Sequence, residues 1–336
     1  TATGRGVQVP LGGGGGNTPP RRFGVGRRVA GGRGSWPAAR LGGTGGLRLD
    51  GSPPGLARRI AEVRGHIAAR KLRWRAEETS LSGLSRELRA RRLGLRYQGP
   101  SADEMAAQVP AEDALPALPT AVDWRSNLGA NWVTSVKDQG ACGACVAFGT
   151  LAALESQLAL DVRSMAKLVD LSEAFLFFCG GGSCAEGWEI PLALEFLENP
   201  GVPDLGCFPY HGTGVDQPCT DRCADWTQRV RKLASSQVLS TQAAALAWVG
   251  RTGPVVAAMD VYEDFFHYAG GVYEPTSLAL EGAHCIAVVG YDQGQKAWLC
   301  KNSWGLGWGE AGYFWIAFDS CNMLSQYPMY GLRTQS

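Results

Sequence analysis

The stretch VKDQGACGACVAF, residues 136–148, sets Cys142 and Cys145 three apart in a turn of glycine and alanine, with Gln139 just ahead of them. Two thiols at that spacing could clip a metal, cycle as a redox pair, belong to two different disulfides, or include a nucleophile. A zinc site wants a second close pair of Cys or His ligands. Cys207, His211, Cys219 and Cys223 supply one only loosely, and residues 204–226 also read as a disulfide-stapled loop, so no metal or other cofactor is expected. A thioredoxin-like pair follows a strand in a βαβ unit, and no such pattern surrounds this turn. The nucleophile reading finds more support: Cys145 leads into the apolar stretch 146–160, and a cysteine entering a helix N-terminus is stabilised as a thiolate.

A thiolate nucleophile needs an imidazole partner, a group that orients the imidazole, and donors for a developing oxyanion. Of the four histidines, His66 lies in a basic extension, His211 in the stapled loop, and His267, in FFHYAGG, reads as a packed core residue. His284 opens HCIAVVGY, whose alternation is that of a strand, and is expected at that strand's edge. Asn302, 18 residues later in KNSWGLGWG, is polar within an aromatic and glycine-rich run. Its amide can accept the imidazole proton without adding charge, and Trp304 and Trp308 could shield that bond. Each alone has a plainer reading, His284 as a core histidine and Asn302 as a turn former.

Holding these side chains together requires a helix behind Cys145 and strands beneath His284 and Asn302. ACVAFGTLAALESQLAL is apolar on every face, as a buried central helix would be; LSEAFLFFC, with Ser172 as its cap, and PLALEFLEN read as further helices. GPVVAAM, GGVYEP, HCIAVVGYDQ, AWLCKNSWG and GYFWIAFD are short glycine-punctuated runs typical of strands. Upstream, Leu56, Ile60, Val63 and Ile67 form a helical stripe, and Ser85 is placed to cap a helix from Glu87 to Arg92. Residues 98–119 are Pro- and Ala-rich and read as a linker. Helices first and strands later predict an α+β protein of two lobes with a site in the cleft between them.

The net charge of +1 conceals a strong asymmetry: residues 1–100 carry 20 Lys and Arg against 5 Asp and Glu, while residues 101–336 carry 12 against 26. Either a basic tail binds nucleic acid, or a basic segment docks on an acidic domain. Residues 1–50 hold 16 Gly, 8 Arg and the lone acid Asp50, with no periodicity that could bury a core, and read as a disordered leader; RNA binding is disfavoured against that reading. Ten cysteines, all after residue 140, favour an oxidising compartment, secreted or lysosome- or vacuole-like, although no signal peptide is visible. No apolar run approaches the ~18 residues of a membrane span, and a monomer without membrane contact is expected.

DQGACGAC, HCIAVVGY and KNSWGLGWGEAGY together resemble the three signature blocks of the papain family of cysteine peptidases, in the right chain order, with His284 139 residues and Asn302 157 residues after Cys145. The resemblance covers about residues 118–336 and takes in LPTAVDWRSNLG, LSEAFLFFC, CAEGW and CFPY. It implies a papain-like two-lobed fold, with a helical left lobe and a β-barrel-like right lobe, that hydrolyses protein or peptide substrates through a thioester. In that family the nucleophile would be Cys145, its base His284, the orienting group Asn302, and the oxyanion hole the Gln139 amide with the Cys145 N–H. Trp304 would shield the Asn302 contact, Gly187 would meet substrate backbone, and Trp188, Ala258 and Ala283 would line a pocket for apolar or aromatic side chains. The resemblance further implies a Cys142–Cys184 disulfide, and pairs Cys179 with Cys219 or Cys223, leaving the other for Cys207. Val146 departs from the pattern, since the family places Trp there as a packing element; Ala283 lacks a polar side chain often seen before the histidine.

Residues 51–117 then become a basic, partly helical propeptide and linker, similar to the short prosegments of some bacterial relatives, acting as an intramolecular inhibitor of residues 118–336. Attraction between the basic and acidic parts would hold it, and acid and salt would promote its release. The competing readings are a catalytically silent relative that binds peptides in the same cleft, and a nucleic-acid-binding protein acting through the Gly/Arg-rich leader.

Overall fold

The computed structural model describes residues 55–100, 104–105, 117–276 and 279–335. The leader of residues 1–50, with its nucleic-acid reading, lies outside them, as does most of the linker. Among the described residues no helix is long and apolar enough to cross a membrane.

The chain begins with α1 (Leu56–Arg70), which buries Leu56, Ile60 and Ile67 while its arginines face outward, the stripe that the three- and four-residue spacing predicts. Lys71, at φ 54°, ends the helix by turning its N–H back to the carbonyls of Ala68 and Ile67. Strand β1 (Trp74–Ala76) follows, then α2 (Arg86–Ala90), where the Ser85 hydroxyl accepts the Leu88 N–H at 3.3 Å and so satisfies one of the free N–H groups of the first turn.

Beyond the linker come β2 (Ala121–Asp123), α3 (Cys145–Asp161), a π-helical turn at Phe175–Cys179, α4 (Ile190–Glu198), β3 (Leu233–Leu239) and α5 (Gln242–Arg251). The last third is almost all strand: β4 (Val255–Tyr262), β5 (Tyr268–Tyr273), β6 (Leu280–Asp292), β7 (Ala297–Lys301), β8 (Tyr313–Ala317) and β9 (Met329–Thr334). These form one sheet in the order β1-β5-β8-β7-β6-β4-β9-β3, with β2 on β6; β5 and β8 are parallel and the other pairs antiparallel. The architecture is α+β.

Helix α3 packs on β6 and is buried almost throughout, because its sequence offers no polar stripe to solvent. It belongs to an apolar cluster with α4, the π-helical turn and the back of β4 and β9; a second cluster fills the space between the strands, α5 and the apolar stripe of α1. Disulfides Cys142–Cys184, Cys179–Cys219 and Cys207–Cys223 staple the helical side, leaving Cys145, Cys285, Cys300 and Cys321 as buried thiols.

Candidate active site

Cys145 is the first residue of α3, and Ala144 before it offers no capping side chain, so the N–H groups of the first turn are left for the thiol's surroundings. The main-chain N–H groups of Cys285, Gly94, Val146 and Cys145 favour the thiolate. The thiol is nonetheless pushed up to about 11 by burial, which outweighs those donors.

His284 lies beside Cys285 on β6, opposite Met259 of β4. The strand starts at Leu280, so His284 is inside it and fully buried, rather than at the edge that the alternation predicts. Pairing with Val261 and Tyr262 extends β6 through residues whose side chains carry no strand signal. Nε2 of His284 meets Oδ1 of Asn302 at 2.8 Å, while Nδ1 has no hydrogen-bond partner. Trp304 lies over the imidazole at 4.8 Å between ring centroids and stacks in turn on Phe266. Burial drives the imidazole down to about 4, opposed by the Asn302 bond and assisted by Arg92. Both groups are therefore held neutral in this state.

Gln139 is fixed on three sides. Its N–H donates to the Ser303 carbonyl at 2.9 Å, its Oε1 accepts the Ser303 hydroxyl at 2.6 Å, and its carbonyl accepts the Tyr210 hydroxyl at 2.8 Å. Its Nε2 donates to the carbonyls of Cys142, at 2.8 Å, and Arg92, at 3.1 Å.

The last contact belongs to a segment, residues 92–97, that lies across the site. Trp188 N–H donates to the Gly94 carbonyl and Arg96 N–H to the Trp188 carbonyl, both at 2.8 Å, in a parallel bridge. Leu95 N–H reaches the Ala283 carbonyl at 3.4 Å, and Leu95 shares an apolar cluster with Cys145, Trp188, Ala258 and Ala283. Gly94 passes where nothing larger fits: a Cβ there would stand 1.9 Å from the Gly143 carbonyl oxygen, and one on Gly187 would stand 1.9 Å from the Gly94 oxygen. Gly187 thus provides room, its own N–H turning to Ser183 at 2.8 Å, while the backbone pairing falls to Trp188. Main-chain donors have no side-chain signature, so nothing in the sequence points to Trp188 in that role.

Val146 is wholly buried in the same cluster as Cys145. A charged group missed in the sequence lies under the site. Lys137 bonds Glu173 at 2.6 Å and Glu155 at 3.2 Å, with Asp170 at 3.4 Å; Lys301 donates to Thr134 at 2.9 Å, and Thr134 donates to Glu155. This knot ties the cysteine turn, α3 and β7 together. Its signal was a glutamate inside the otherwise apolar run TLAALESQLAL, since a buried carboxylate demands a partner.

The model of the papain family cysteine proteases matches residues 118–331. Relatives include a cathepsin B-like protein, CP3, of Giardia intestinalis, 34% identical over 55% of this chain and 64% of that one. Digestive cysteine proteinase 1 of Homarus americanus is 35% identical over 65% of this chain and 67% of its own length. The chain thus spans about two thirds of the length of these relatives. Among solved structures, digestive procathepsin L 3 of the Tenebrio molitor larval midgut aligns with TM-score 0.66 and 27% identity, over 83% of this chain and 88% of that one. Procathepsin B S9 of Trypanosoma congolense aligns with TM-score 0.69 and 20% identity over 84% and 99%, a likeness of fold. With the family model covering most of the chain, and with the cysteine turn, the His284 strand and the Asn302 block inside the match, the protein belongs to the papain family of cysteine proteases.

Proposed function

We propose that this chain is a cysteine endopeptidase in zymogen form, with Cys145 as nucleophile and residues 51–117 as an inhibitory propeptide of the catalytic unit 118–336. The observation that carries the reading is the occupied cleft: the Arg92 carbonyl accepts from the Gln139 amide while Gly94 runs between the Gly143 backbone and Trp188, whose N–H its carbonyl accepts. A ready acceptor thus lies on the donor that an oxyanion would use.

With the segment displaced, the thiol and imidazole regain water and the proton can pass from Cys145 to His284, whose other face is held by Asn302. The thiolate attacks the substrate carbonyl carbon, and the resulting oxyanion takes hydrogen bonds from the Gln139 amide and the Cys145 N–H. Collapse to the thioester expels the amine, which takes its proton from His284; a water molecule, deprotonated by His284, then hydrolyses the thioester. Leu95 among Trp188, Ala258 and Ala283 supports an apolar side-chain preference for that pocket. Three disulfides support a secreted or lysosome- or vacuole-like compartment.

Titration with an active-site-directed epoxide tests the assignment. Labelling of Cys145 after removal of the segment, abolished by His284→Ala, is the expected result, and Cys145→Ser should remove turnover while sparing the fold. A folded, processed protein whose Cys145 ignores the reagent would instead be a peptide-binding relative. The most direct check on the boundary is the N-terminal residue of the active form, expected near Leu118.

A further inference from the structure

His267 is buried, 1% exposed, in the seam between the N-terminal segment and the rest of the protein. Its Nδ1 lies 2.8 Å from the Ser82 hydroxyl. That oxygen already accepts the Thr79 N–H at 3.0 Å, and the other acceptors within reach of its proton, Thr79 Oγ1 at 3.3 Å and the Phe266 carbonyl at 3.5 Å, are farther than Nδ1, so the network assigns the hydroxyl proton to Nδ1 and leaves the imidazole neutral. Beside it a partly open cavity of about 190 Å³ is lined by Arg59, Glu62, Val63 and His66 from α1 and by Glu263, Asp264, His267 and Thr276 from the opposite wall.

The charges facing the ring come from every element packed on it. Arg59 on α1 and Arg89 on α2 are cationic neighbours, and Arg89 also lies over the Phe266 ring at 5.2 Å. Glu263 is the opposing anion but is shared with Arg89 at 3.5 Å; Asp264 is engaged by the Tyr273 hydroxyl and by Thr276; Glu281 is shared between Arg86 and Arg89. A proton added to His267 therefore meets two arginines of the N-terminal segment and turns Nδ1 from acceptor into donor, so the Ser82 hydroxyl proton must turn to the longer contacts with Thr79 Oγ1, at 3.3 Å, or the Phe266 carbonyl, at 3.5 Å.

We propose that His267 is an acid sensor for the release of the N-terminal segment: its protonation reverses the bond to Ser82, forcing the hydroxyl proton onto longer contacts, and sets a third positive charge against Arg59 and Arg89 at the seam. The inference rests on the reading of that segment as an inhibitory propeptide, but concerns its docking and not the chemistry at Cys145.

Burial, Arg89 and Arg59 hold the docked imidazole down at about 4, with Glu263 opposing. Once the segment leaves, both arginines depart and the group returns toward its ordinary value of about 6.5. The sign follows: the released state binds the extra proton, so docking is at full strength above about pH 6.5 and is lost as pH falls toward 4. At pH 5 this single group would weaken docking about 30-fold. The remaining acid response belongs to His284 and to the paired carboxylates.

The test uses the full chain carrying Cys145→Ala, so that no processing intervenes and a lack of peptidase activity cannot be mistaken for a failure of the sensor. Amide hydrogen exchange across Trp74–Ala76 and Gly94–Arg96, corrected for intrinsic rates, reads docking between pH 7.5 and pH 4.5. His267→Phe and His267→Gln should match the parent at pH 7.5 and retain about 30-fold more protection than it does at pH 5, whereas His66→Gln, across the same cavity, should behave as the parent. Equal loss of protection in parent and both His267 variants overturns the proposal. If both variants are already unprotected at pH 7.5, the imidazole of His267 is followed by NMR in the Cys145→Ala chain. Titration in step with loss of protection supports the sensor; titration near pH 6.5 with protection intact refutes it.

Discussion

At the scale of single residues, desolvation keeps Cys145 and His284 neutral in the intact chain. A thiol at about 11 and an imidazole at about 4 leave both groups neutral near pH 7, where a free cysteine of pKa about 8.5 would already be a few per cent thiolate. Alkylation of Cys145 at pH 7 should accordingly be at least a few hundredfold slower in the intact chain than after removal of the segment. Equal rates, measured by mass spectrometry of the Cys145 peptide, would refute the account. Gly94 gives a sharper prediction. Because its Cβ would collide with the backbone oxygen of Gly143, Gly94→Ala should expose Cys145 to the same reagent in an unprocessed chain, while Gly65→Ala, where a Cβ meets nothing, should leave labelling unchanged. The residues proposed to carry the chemistry were conspicuous in the sequence because their types and order are unusual: a glutamine and cysteine in a small-residue turn, and an asparagine among tryptophans. Trp188 was not, since it acts through its peptide group.

At the scale of elements, α3, the cysteine turn and β7 are held in register by a buried ionic knot. Lys137 is the cation that faces Glu155 and Glu173 at once, and it is held well above its ordinary value by those carboxylates despite its burial. Lys137→Met would leave two buried carboxylates short of their partner and should destabilise the protein by about 3–5 kcal/mol. Chemical denaturation checks this, and an unchanged midpoint with an unchanged slope would remove the knot from the account. The helices α1, α2 and α3 and the strands β4 to β8 could be read from periodicity and caps, because burial on one face or on all faces leaves a pattern. Strands β1, β2, β3 and β9 could not. The first two span three residues each, and β3 buries only its two ends, Leu233 and Leu239, so backbone pairing forms them with little help from side-chain alternation.

At the scale of the whole molecule, the charge asymmetry finds concrete partners but modest energies. Apart from Arg89, buried against Glu263 and Glu281, the pairs that join the N-terminal segment to the acidic domain are Arg73–Glu274, Arg86–Glu281, Arg92–Asp138 and Arg96–Glu189, each with at least one partner well exposed. Pairs of that kind contribute about 0–1 kcal/mol apiece and are screened by salt. The apolar stripe of α1, Trp74 against Tyr268 and Tyr273, and the β1–β5 pairing do not depend on charge. Raising salt to 1 M should therefore loosen docking severalfold rather than abolish it, and complete release at neutral pH would contradict this division. The pH response has two arms. Docking favours the neutral thiol, so it weakens as pH rises above about 8.5; it also favours the neutral His284 imidazole, so it weakens as pH falls below about 6.5. Segment protection in the Cys145→Ala chain, which lacks the first arm, should persist at pH 9.5, where the parent chain begins to lose it.

The passage of Gly94 between Gly143 and Gly187 also works as a gauge. It fixes the gap between two main-chain walls at the width of a polypeptide with no side chain at that point, while Leu95 beside it fills an apolar recess. A short synthetic peptide with the sequence of residues 92–97 is therefore a starting scaffold for a ligand of this cleft, and its alanine-for-glycine analogue is the built-in control for whether that ligand sits as the native segment does.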